Sequence, residues 1–242
     1  MSIDRVFTKD NLDRYLKELG KEFRKRNGTK MPAEIVLVGG AAILANYGFR
    51  EMTYDIDAVI TASSAMKEAV NSVGDKFQLP NRWLNADFKN TNSYSPKLRQ
   101  YSKHYRTYSN VLHIRTVSAE YLVAMKLMSG RSYKKDLSDV VGILYEQKRE
   151  GQPLDYQKID KAVQALYGDW NGISDYAEKI LMTALSSENL EELFEQQMKE
   201  EDTSRQILLQ AEQKETEAVT ESSAEDIIRQ ALAKKNSGRD ER

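Results

Sequence analysis

The chain has no cysteine, only two histidines and four prolines, and no apolar run of about eighteen residues, the length that would span a bilayer. Without cysteine there is no disulfide, no thiolate zinc site and no cysteine nucleophile, and a reducing compartment suits such a composition. The histidines, His104 and His113, do not form a metal-type cluster. With charge from Asp4 onward and no membrane-length segment, the sequence reads as soluble and cytoplasmic, with no membrane partner. An excess of one charge sign is missing too. Lys and Arg number 36 against 37 Asp and Glu, a formal net charge of -1, so any contact with a polyanion must come from a local patch. What remains is 40% hydrophobic residues in 242, enough for one core with an appended piece, and 30% charged residues, a share high enough to be concentrated in particular segments.

Leu12, Tyr15, Leu16, Leu19 and Phe23 recur at helical spacing, with Asp10 as the N-cap and Asn27-Gly28 as the stop. A buried strand, "AEIVLVGG", then helix formers, "AAILANYG", then a second strand, "YDIDAVIT", follow, and Ser63 or Ser64 caps a helix reaching about residue 77. Residues 79–110 lose periodicity and read as a long polar loop with room for short helical turns, a length that is more often functional or mobile than merely connecting. "VLHIRTVS" is a third strand, and helices follow from Ser118, over 136 to about 150, over 156–167 and over 173 to about 185. The expected fold is α/β (α+β), a small mixed-sheet core over 1–132 followed by a helical part over 133–186. From residue 187 the chain turns rich in Glu, Gln and Lys and is expected to form a solvated helix or partly disordered tail over 187–242, although "AEDIIRQALAKK" keeps Ile227, Ile228 and Leu232 near one face and could dock as a short helix.

Asp55 and Asp57 stand one residue apart, so on a strand both carboxylates project from one face and repel each other unless a cation offsets the cost. Magnesium prefers carboxylate oxygens and leaves positions for water and phosphate, which makes an Asp-x-Asp pair half of a metal site. Alone, the pair is a weak signal, and Gly39-Gly40 alone would be a packing turn. Together they place a phosphate cradle and a metal seat on one short unit, as nucleoside triphosphate chemistry requires.

"VGGAAILANYGFREMTYDID" resembles the signature of the DNA polymerase beta-like nucleotidyltransferase superfamily: a glycine pair, a short helix, then Asp-x-Asp on the next strand. "MKLMSGRSYKKDLSDVVGIL" is similar to the motif of AbiEii-type nucleotidyltransferases, carried here by Lys126, Arg131, Lys135, Asp136 and Asp139. "RWLNAD" resembles a Trp-Leu-Asn segment of the related DUF6036 family, and the matches together cover about residues 33–145. The resemblance implies that Asp55 and Asp57 hold magnesium or manganese, that Gly39 and Gly40 accommodate a triphosphate, and that Lys126 with Arg131 and Lys135 stabilises it. Asp136 and Asp139, three apart on one helical face, would orient those cations or act as a base; by charge alone, the same residues read as a surface ion-pair network between two helices. The superfamily's third carboxylate is not found in "VLHIRTVS"; Asp87 and Glu120 could take its place, though each also reads as an ordinary loop cap or first-turn acid.

In "PKLRQYSKHYRTYSN" Lys97, Arg99, Lys103 and Arg106 alternate with tyrosines, which suits either an RNA end or a tyrosine-rich loop packed on the body. The function expected is transfer of a nucleoside monophosphate from a nucleoside triphosphate to an RNA, such as a tRNA end, or to a protein, in a toxin-antitoxin or phage-defence setting with a cognate antitoxin or toxin as partner. The alternative is a non-catalytic binding protein on the same scaffold, acting through its C-terminal tail.

Overall fold

A computed structural model describes residues 6–214 and 221–237. Helix α1 (Lys9–Asn27) buries Leu12, Leu16, Leu19 and Phe23. Its N-cap is Thr8, not Asp10. The Thr8 N–H donates to Asn11 Oδ1 at 2.9 Å and the Asn11 N–H to Thr8 Oγ1 at 3.4 Å, a reciprocal box that leaves Asp10 in the first turn.

Strand β1 (Ala33–Leu37), helix α2 (Gly39–Asn46), strand β2 (Ile56–Thr61) and helix α3 (Ala65–Phe77) follow in order. β2 returns antiparallel beside β1, with Leu37 opposite Ala58. The segment 79–110 is not a loop. It contains strand β3 (Leu84–Asn85), two 3₁₀ turns (Asp87–Asn90 and Pro96–Arg99) and strand β4 (Ser102–Tyr108). β4 hid in the sequence because it is a sheet edge: only its end residues Ser102 and Tyr108 are buried, and a bulge between His104 and Arg106 breaks its alternation. Strand β5 (Leu112–Val117) completes a sheet of order β3-β2-β1-β5-β4. "VLHIRTVS" therefore lies beside β1, and the strand flanking the Asp57 end of β2 is β3, where Asp57 pairs with Asn85.

The tyrosines of this region follow the packing alternative. Tyr101 stacks on Tyr121 with ring centres 4.0 Å apart, Tyr94 meets Phe88 edge-on, and the Tyr105 and Tyr108 hydroxyls both donate to Asp13, at 3.0 and 2.9 Å. Arg99 pairs with Glu34 and Arg106 with Asp13, so part of the basic series is engaged as well.

The helical part comprises α4 (Ala119–Ser129), α5 (Asp136–Arg149), α6 (Tyr156–Tyr167), α7 (Asp175–Ser186), α8 (Leu190–Lys214) and α9 (Glu221–Ser237). α4 is buried on nearly all sides and packs against α2, α5 and α6, which makes it the shaft joining sheet to helices. The charged composition of α8 describes only its outer face. Leu190, Gln197, Glu201, Ser204 and Leu208 are buried, and α8 lies along α5. α9 docks on α8 through Ala224 and Ile228. Residues 215–220 and 238–242, the remainder of the expected tail, lie outside the described residues.

Helix α1 approaches β4 closely at one glycine. A methyl group on Gly20 would lie 2.7 Å from Tyr108 Cβ and 3.3 Å from its carbonyl. Alanine is the better helix former by about 1 kcal/mol, but overpacking costs about 1–3 kcal/mol. Gly20→Ala is therefore expected to lower stability in urea unfolding; an increase would contradict this contact.

Candidate functional site

β2 begins at Ile56, so Asp55 lies on the approach to the strand and is exposed, while Asp57 is half-buried within it. Ile56 and Ala58 point into the core, which leaves Asp57 on the opposite face. That face looks onto the start of α2. A Cβ added to Gly39 would stand 4.0 Å from Asp57 Oδ2, and Gly39 has φ +52°, a conformation glycine adopts readily. Gly40 serves differently. A side chain there would collide with Thr53 Oγ1 at 2.7 Å and Arg50 Nη2 at 2.8 Å, so its bareness lets Arg50 lie against α2.

Arg50 leads to the second motif. Its Nη1 lies 2.5 Å from Asp139 Oδ2. The Lys126 Nζ sits between Asp136 Oδ1 at 2.7 Å and Asp139 Oδ2 at 2.9 Å, and Arg131 Nε donates to Asp136 Oδ2 at 2.8 Å. Lys126, Asp136 and Asp139 are 8%, 1% and 2% exposed, so this is an interior network rather than a solvated face. Among the described residues, Arg50, Lys126 and Arg131 are gathered on Asp136 and Asp139. Lys135 is the N-cap of α5, where its carbonyl accepts the Asp139 N–H at 3.2 Å.

The two motifs sense each other. Burial, then repulsion from Asp55 and Asp87, pushes the Asp57 carboxyl up to about 6, and Lys126 and Arg131 pull it back. For Asp136 burial opposes ionisation, but Lys126 and Arg131 outweigh it and hold the pKa well below the usual carboxylate range. Burial lowers the Lys126 pKa, yet Asp136 and Asp139 carry it above that of an ordinary lysine. A carboxylate so stabilised, with both oxygens engaged, is a weak base, and Asp136 fits the cation-orienting role.

Asp87 is the acid that the fold brings toward Asp57. It follows β3 by two residues, its N–H bonds Asn85 Oδ1 at 2.8 Å, and its carboxylate pairs with Arg82. Glu120 stays in the first turn of α4. Among the described residues no three acidic, histidine or cysteine side chains converge as a metal-holding group.

Two further groups were not distinguishable in the sequence. Arg50 sits inside "YGFREMTYDID" with nothing to separate it from a surface arginine. Glu201, in the acidic run "KEED", is 2% exposed, and its Oε1 accepts the N–H groups of Leu137 at 2.9 Å and Ser138 at 3.2 Å, capping α5 from α8. Burial raises its pKa to about 8, and its buried Oε2 has no partner. Beside Arg131 a cavity of about 1390 Å³ opens between the turn after α4, residues 90–93, α7, α8 and α9.

Glu201 makes stability fall with pH. With the folded pKa near 8 and the unfolded one near an ordinary glutamate's, the native state holds the extra proton in between, so stability contributed below that window is lost as pH rises through it. Thermal unfolding of Glu201→Gln is expected to show a flatter dependence between about pH 5 and 8 than the parent chain, these limits following from an unfolded glutamate pKa near 4.3. Parallel curves would contradict the capping geometry.

A family model described as a nucleotidyltransferase of unknown function (DUF6036) matches residues 14–149, more than half the chain and both motifs. No curated protein and no solved structure shows significant similarity to the chain.

Proposed function

Because the chain belongs to the DUF6036 family of nucleotidyltransferases, we propose that it transfers a nucleoside monophosphate from a magnesium-bound nucleoside triphosphate to an acceptor hydroxyl. The observation that carries this reading is the placement of Asp57 against the first turn of α2, within the field of Lys126 and Arg131.

The donors present fit a hard divalent cation. Asp57 is raised in part by its like-charged neighbours, a stress such a cation relieves, and two carboxylates leave positions for water and phosphate oxygens. Asp55 and Asp57 would hold magnesium or manganese, which when bound neutralises charge on the phosphates. The start of α2 at Gly39 lies beside Asp57, and the N–H groups of a helix's first turn suit a phosphate oxygen. Lys126 and Arg131, held in place by Asp136 and Asp139, would attract the triphosphate and steady the departing pyrophosphate. Asp136 and Asp139 fix those cations, and Lys135 starts the helix that bears them. In the reaction the acceptor oxygen bonds to the α-phosphorus while the bond to pyrophosphate breaks, and the hydroxyl proton is released to solvent.

The AbiEii-like order of Lys126, Arg131, Lys135, Asp136 and Asp139 supports an acceptor of the RNA or protein kind and a toxin-antitoxin or phage-defence role with a cognate partner protein. A second reading is favoured by one observation: with no three-ligand metal group among the described residues, the scaffold could bind without catalysing, acting through its C-terminal helices.

Calorimetry with each of the four ribonucleoside triphosphates separates the readings. Magnesium-dependent binding of at least one is expected, rising between pH 5 and 7 as Asp57, with its carboxyl near 6, gives up its proton, and lost in the Asp55→Ala, Asp57→Ala double variant. Binding untouched by that variant, or none to any triphosphate, would favour the non-catalytic reading.

A further inference from the structure

The turn between α4 and α5 carries Arg131, Ser132, Lys134 and Lys135, and it is engaged by the chain's own C-terminal helix. The carboxylate of Glu225, on α9, takes both donors of one serine: the Ser132 N–H reaches Oε1 at 3.0 Å and the Ser132 hydroxyl reaches Oε2 at 2.8 Å. This two-point grip on a pair of anionic oxygens is the contact that a backbone N–H and a hydroxyl make to a phosphoryl group. Ser132 and Glu225 line the cavity of about 1390 Å³, as does Arg131, whose charge acts on Asp57. The anion held at Ser132 thus sits in the space that adjoins the candidate site.

Among the described residues, α9 is attached outside the main core. Its buried residues belong to a separate small cluster, Leu208, Ala224 and Ile228, with Tyr133, Ile207 and Ile227 packed around it, outside the main core. A terminal helix held on a cluster apart from the main core can open without global unfolding.

We propose that Ser132 is a seat for a phosphoryl group entering the cavity, and that α9 regulates it by filling the seat with the Glu225 carboxylate. The proposal rests on the nucleotidyltransferase reading only for the origin of that phosphate, which is either the polyphosphate of a nucleotide or the backbone of an RNA acceptor. A tethered carboxylate competes at an effective concentration on the order of millimolar, so its removal should tighten binding of a weak anion severalfold.

The test uses the full chain without divalent metal, with EDTA and low salt, so that it does not depend on Asp55 and Asp57. Tripolyphosphate and a short oligouridylate are titrated separately by calorimetry. Glu225→Ala is expected to bind one of them about fivefold more tightly than the parent chain, in line with that effective concentration. Ile228→Asn, which loosens α9 without touching the carboxylate, should act in the same direction. Adding Ser132→Ala to Glu225→Ala should remove most of the gain. A gain for tripolyphosphate assigns the seat to the nucleotide tail, and a gain for oligouridylate alone assigns it to the acceptor. No gain for either ligand in either α9 variant, or a gain that survives Ser132→Ala, overturns the proposal. Because neither magnesium nor the Asp55–Asp57 pair is involved, a failure of the triphosphate titration would leave this result intact, and the reverse also holds.

Discussion

The ammonium of Lys126, buried between Asp136 and Asp139, is the contact that joins the sheet and the helices into one site. Charges in a protein interior persist only when paired, and removing one partner of such a pair costs about 3–5 kcal/mol because the other is left uncompensated. Here the pairing runs across elements. Lys126 comes from α4 and the two aspartates from α5, while Arg50, reaching Asp139, comes from the connection between α2 and β2. The same network positions the charges of Lys126 and Arg131, which act on Asp57.

Several features protect that arrangement. Phe49, beside Arg50 in sequence, packs on Tyr47 and meets Phe194 of α8 edge-on, with ring centres 5.5 Å apart. Gly142 leaves room for the Phe49 ring on α5; a Cβ there would lie 2.6 Å from it. Glu201 caps the first turn of α5, one residue beyond Asp136. Thus α8, whose sequence reads as a charged outer helix, governs the placement of the motif it covers. The two glycines divide their work: Gly39 turns the chain toward Asp57, and Gly40 admits Arg50.

The order of elements was legible wherever burial imposed a period. α6, for instance, spans Tyr156–Tyr167 as the spacing of its apolar residues predicts, and β1 and β2 read directly as β-branched runs. β4 was not legible, because an edge strand needs no apolar alternation, and β3 is only two residues long. Its position had a consequence for the site. With β3 unseen, β5 stood as the next strand, and Asp87, the acid besides Asp55 whose charge reaches Asp57, read as a loop residue. The motif residues could be named from their spacing. Their pairing across two helices could be read as well, but not its burial or its further partners, since Arg50 and Glu201 gain meaning only from partners 89 and 64 positions away in the chain.

Nucleotidyl transfer is tested most directly by incubating the protein with magnesium, each nucleoside triphosphate labelled at the α-phosphate, and either total RNA or cell protein, then following label into the macromolecular fraction. The account predicts label transferred to one fraction from at least one triphosphate, and no transfer by Asp57→Asn. Label transferred equally by Asp57→Asn, or no label in either fraction with any triphosphate, would contradict it.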